Sequence, residues 1–127
     1  LFGNFFNGTL IKRQAILKVG NINRDLFIWG DEIDMAMRLM YFAPIRTVLN
    51  AIHYHPEPVS AAALWKLYYG LRNQIYLNRK YFNWKFLRIA KAILILGPKF
   101  LSHKNGIKYF FKALVHGFSG KLGKLSF

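Results

Sequence analysis

The sequence predicts an α/β first half followed by a basic helical tail, and three observations lead there. Short apolar or aromatic runs bounded by turn-forming residues occur within residues 1–11, 26–29 and 45–55 and read as strands. Between and after them, apolar residues recur at helical spacing. Charge is segregated as well: all five acids lie in residues 1–57, whereas residues 58–127 hold thirteen Lys or Arg and no acid. The break falls at the turn-forming stretch His55-Pro56-Glu57-Pro58. It divides the chain into a first unit, residues 1–58, and a tail, residues 59–127.

In order, Phe2, Phe5 and Phe6 suggest an extended start, Asn7-Gly8 a turn and residues 9–11 a short strand. Residues 12–19 read as a short helix stopped by Gly20. Residues 21–25 are loop, and residues 26–29 a short apolar strand. Residues 31–42 read as a helix that stops before Pro44, with Ile33, Ala36, Met37 and Met40 as its apolar stripe. Residues 45–55 alternate as a strand. In the tail, Ser60 opens a helix running to about residue 82. Asn83 opens a second helix that Pro98 interrupts. Asn105-Gly106 opens a third over residues 107–116, and the Gly/Lys-rich end from Gly117 is expected to be loose.

A chain of 127 residues holds one modest domain, and its start, Leu1-Phe2-Gly3-Asn4, reads as a cut into something longer. Apolar residues make up 54 %, yet no run approaches the roughly 20 residues that a spanning helix needs. The best stretch, residues 89–96, is interrupted by Lys91. The absence of cysteine excludes disulfides and thiolate metal sites and fits a reducing compartment.

Against a net charge of +14, three of the five carboxylates converge on Asp31, Glu32 and Asp34. Two readings are open. Acids in the first turn of a helix meet free N–H groups and the positive dipole end. Clustered acids in a basic chain also mark chemistry. Gly30 permits a tight turn before Asp31, which places Asp31 at or near an N-cap and Glu32 in the first turn. Asp34 and Arg38 are four apart and can pair on one helix face.

The order Phe6-Asn7-Gly8-Thr9-Leu10-Ile11, Gly20, Phe27-Ile28-x-x-Asp31-Glu32-x-Asp34-x-x-x-Arg38 and Ala51-Ile52-His53-Tyr54-His55 resembles the acceptor half of inverting family-two glycosyltransferases of the GT-A fold. The nearest likeness is to the bacterial rhamnosyl- and galactofuranosyl-transferase branch. Tyr68-Tyr69-x-x-Arg72-Asn73 resembles the helix that follows the catalytic domain in that branch. The resemblance implies a partial GT-A domain and transfer of a sugar from a nucleotide-diphosphate donor to a glycan or lipid-linked acceptor, with inversion. It implies that Glu32 is the general base, with Asp31 beside it. The pair stands as Asp-Glu where many relatives carry Asp at the second position, so the base lies between Asp31 and Glu32. It further implies a divalent cation, Mn²⁺ or Mg²⁺, with His55 as a ligand and His53 as runner-up. Two outward histidines of one strand are the plainer account of that pair. The chain has no Asp-x-Asp, so the resemblance places the nucleotide-binding half outside it.

Asn7 and Gly8 would line the acceptor groove or simply form a hairpin turn. Trp29 would stack on a sugar face or pack inward. Asp34 is a further candidate for substrate contact, and Arg38 would orient it. A basic, aromatic-rich chain also suits nucleic acid, but no nucleic-acid motif appears and the bases are spread over three helices. An anionic membrane suits the tail better, because Lys and Arg flank aromatics and leucines along each helix. Lipid-linked acceptors would place the protein in the cytoplasm, peripheral at the inner face of the cell membrane.

Overall fold

A computed structural model describes residues 8–52, 54 and 63–126, and every regular element among them is helical. In chain order these are α1 (Arg13–Val19), a 3-10 turn (Arg24–Leu26), α2 (Asp31–Phe42), α3 (Leu64–Tyr81), α4 (Lys85–Phe100) and α5 (Gly106–Ser119).

The expected α/β architecture is overturned, and the partial GT-A domain with it: the described residues contain no strand and no sheet. Residues 9–11 are irregular, and residues 26–29 turn sharply. Residues 45–52 are irregular too, with Ile45, Val48, Leu49 and Ile52 exposed. The physical reason is the lack of a neighbour. A strand is held by ladder hydrogen bonds and by a surface for its apolar face to cover. Alternation in sequence describes that face but supplies neither.

α3 is the centre of the molecule. Leu67, Leu71 and Ile75 are buried on it, and Ile89, Ala92 and Phe100 of α4 and Ala113 of α5 close over them. Gly117 permits the α3–α5 crossing, since a Cβ there would lie 2.8 Å from the Ile75 Cβ and 2.9 Å from the Arg72 carbonyl oxygen. The expected interruption at Pro98 is not seen: α4 runs through it to Phe100. Having no N–H, Pro98 cannot make the helical hydrogen bond to the carbonyl four residues earlier. α5 begins at Gly106, after Asn105 at φ 63°, a left-handed conformation that Asn tolerates.

α1 and α2 form a smaller cluster in which Ala15, Met35 and Leu39 are buried against Ile11, Ile16 and Val19. The buried stripe of α2 is therefore Met35, Ala36 and Leu39, one step round from the expected one, and Met40 is exposed. That rotation turns Asp34 toward the end of α3. The C-terminal segment expected to be loose instead packs back. The Leu125 N–H donates to the Tyr69 hydroxyl at 2.7 Å, and the Gly123 N–H to the Asp25 carbonyl at 2.6 Å.

Candidate active site

The loop before the acidic pair is bent by three residues at positive φ, Phe27, Trp29 and Gly30. Phe27 sits at φ 64°, ψ −61°, and the Ile28 N–H donates to the Leu26 carbonyl at 2.8 Å, which makes a positive-φ γ-turn. Trp29 follows at φ 63° and Gly30 at φ 91°. Such conformations cost on the order of 1–3 kcal/mol at each non-glycine and persist only when surroundings enforce them.

Two side chains of α3 enforce this one. Asn73 and Arg72 are each 1 % exposed. The Asn73 amide donates to the carbonyls of Leu26, Ile28 and Trp29 at 2.9, 2.8 and 2.6 Å. Arg72 donates through Nη2 to Leu26 and Asp25 at 3.0 and 3.3 Å, through Nη1 to Gly123 at 2.7 Å, and through Nε to Asn73 Oδ1 at 2.8 Å. Its guanidinium also lies 4.7 Å from the Tyr69 ring centroid. Carbonyls and a ring face thus solvate a buried cation. Trp29 lies against α3 at Gly70, where a Cβ would stand 2.8 Å from the indole, and remains partly exposed.

α2 opens immediately beyond. Gly30 is its N-cap, packed so closely that a Cβ would meet Leu77 Cδ1 at 2.6 Å. Asp31 and Glu32 are the first two helical residues and both are partly exposed. Glu32 Oε2 accepts from the Gly30 N–H at 3.1 Å. Partial burial pushes the Glu32 carboxyl above its ordinary pKa, and the neighbouring Asp31 carboxyl adds to the rise. The N–H groups of Glu32 and Gly30 work against both. A carboxylate with a raised proton affinity at the mouth of a helix is a competent proton acceptor.

Asp34 lies beneath this mouth, 1 % exposed. Oδ2 accepts from Arg38 Nε at 2.9 Å, while Oδ1 accepts from Lys80 Nζ at 2.9 Å and from the Tyr81 hydroxyl at 2.6 Å. Burial alone would raise its pKa, but the Tyr81 and Lys80 hydrogen bonds and the Lys80 and Arg38 charges hold it below the usual value. Arg38 also donates to the carbonyls of Val19, Gly20 and Asn21 at 2.6, 3.3 and 2.9 Å. Asp34 and Arg38 therefore tie α1, α2 and α3 together, and the Asp34 carboxylate is closed to a ligand.

Of the residues expected at the site, the structure brings Trp29, Asp31 and Glu32 to one turn and sets Asp34 and Arg38 behind them. Gly8 is exposed, at φ 71°. Asn7, His53 and His55 lie outside the described residues. Among the described residues no three His, Asp or Glu side chains gather into a group that could hold a metal ion. Sequence reasoning gave no role to Arg72, Asn73, Lys80 or Tyr81. The available signal was Arg72-Asn73 itself, two polar residues set between the core positions Leu71 and Ile75. No family model, curated protein or solved structure matches this chain.

Proposed function

We propose that this chain supplies the base-bearing helix of an inverting glycosyltransferase. The observation that carries the reading is the Asp31–Glu32 pair at the N-terminus of α2, with the Glu32 carboxyl raised and the preceding loop clamped by Arg72 and Asn73. The motif order supports the same reading.

The chemistry follows from one carboxylate. An acceptor hydroxyl is a poor nucleophile until its proton has somewhere to go. Glu32 takes that proton as the acceptor oxygen bonds to the anomeric carbon. The bond from that carbon to the donor phosphate breaks, and its electron pair leaves with the nucleotide diphosphate. One displacement inverts the centre, and no covalent enzyme intermediate forms. Asp31 keeps the Glu32 proton affinity high, and Trp29 offers an aromatic face to a sugar ring. The donor and any Mg²⁺ or Mn²⁺ that neutralises its diphosphate would be held by residues outside those described, His55 among them.

The test is sugar transfer by the full-length protein. Glu32→Gln keeps the shape but cannot accept a proton, so turnover should fall by about 10²–10⁴-fold while donor binding holds. Loss in Asp31→Asn alone would move the base to Asp31. Wild-type turnover in both variants would end the reading.

A further inference from the structure

α4 carries two apolar faces. One, with Ile89, Ala92 and Phe100, is buried in the bundle. The other is a ridge of Leu87, Leu94 and Leu101, which are 66 %, 75 % and 71 % exposed. Residues seven apart fall nearly on one line of a helix, and Lys91 lies on the same side. α5 repeats the pattern. Gly106, Ala113 and Gly117 face inward, while Phe111 and Val115 stay exposed beside Lys108. Trp84, at the entrance of α4, is exposed too. Ordered apolar ridges on two successive helices are more than the scattered exposure of an ordinary surface.

We propose that the outward faces of α4 and α5 seat the protein on an anionic lipid surface. The leucine ridge would enter the headgroup–acyl boundary, and the lysines beside it would reach back to the lipid phosphates. Charge selects this occupant. Among the described residues the ion pairs are Arg38–Asp34 and Lys80–Asp34, so no described carboxylate pairs with the bases of α4 and α5. Residues 58–127 contain no acid that an anionic surface would repel. A second copy would bring like-charged faces together. Nucleic acid would meet the charge but leave the leucines in water. No described helix is long and apolar enough to cross a membrane, so the contact is one of helices lying on it.

The surface stands apart from the transfer reaction, and its test needs no activity. Co-sedimentation of the full chain with phosphatidylcholine vesicles is compared with vesicles that also contain phosphatidylglycerol. Binding should require the anionic lipid, weaken with added salt and keep a salt-resistant part. Leu87→Gln with Leu94→Gln leaves the charge unchanged and lies away from the core. It should lower affinity by about tenfold or more and remove the salt-resistant part, with an unchanged circular dichroism spectrum. Lys91→Gln with Lys108→Gln should lower the preference for phosphatidylglycerol. Equal binding to both vesicle types would overturn the proposal, as would parent-like binding by the leucine variant. A dimer that the leucine variant dissociates without change in vesicle binding would assign the ridge to a second copy. Equal affinity for a single-stranded oligonucleotide, insensitive to the leucine variant, would assign the face to nucleic acid.

Discussion

The Asn73 side-chain amide donates to the Trp29 carbonyl at 2.6 Å, two residues before the acidic pair begins. Together with its bonds to Leu26 and Ile28, this converts a strained loop into a fixed entry to α2. Asn73→Ala should therefore destabilise the chain by about 2–4 kcal/mol in urea unfolding, because buried carbonyls lose their donor. Asn73→Asp should cost more, since a carboxylate would face carbonyl oxygens.

Asp34 gives a stability that depends on pH. Its folded pKa is depressed, so its contribution is present above the unfolded value of roughly 3.9 and is lost as pH falls through the folded value. At neutral pH, Asp34→Asn should cost about 2–3 kcal/mol, since Lys80 and Arg38 lose their counter-charge but both reach solvent. Urea midpoints of parent and variant should converge as the solution is acidified. A gap that stays constant through the acid range would show that the charge of Asp34 contributes nothing.

α2 and α5 were legible because each carries its own end signals. By contrast, α4 opens after Trp84 instead of Asn83 and runs through Pro98, and the expected helix start at Ser60 lies outside the described residues. The bounds of α2 follow from Gly30, its acids and Pro44, and the start of α5 from Asn105-Gly106. The strands were misread because alternation over residues 45–52 names a face without naming what covers it. Asp34 and Arg38 could be paired from their spacing. Lys80 and Tyr81, 46 and 47 residues from Asp34, could not. Arg72 and Asn73 were visible as polar residues within a core stripe. Their targets are backbone carbonyls, which have no signature in sequence.

Glu32 should titrate above the ordinary glutamate value of roughly 4.3 when its carboxyl is followed by carbon NMR. Asp31→Asn removes a neighbouring negative charge, so the Glu32 midpoint should fall in that variant. An unchanged midpoint would mean that Asp31 does not act on Glu32 through its charge.

Two helical glycines should differ in how much they tolerate the same substitution. At Gly117 an added methyl group meets the backbone oxygen of Arg72 and the Cβ of Ile75 at under 3.0 Å, and neither can move without moving α3. Gly117→Ala should therefore cost about 1–3 kcal/mol by forcing the helices apart. At Gly97 the added methyl group meets the ring edge of Phe110 at 3.3 Å, the far end of a side chain that can swing. Alanine also suits a helix better than glycine by about 1 kcal/mol, although the following Pro98 crowds its Cβ. Gly97→Ala should thus stay within about 1 kcal/mol of the parent. Paired urea titrations decide the matter: equal costs at the two positions would mean that the α3–α5 contact at Gly117 is looser than the described packing.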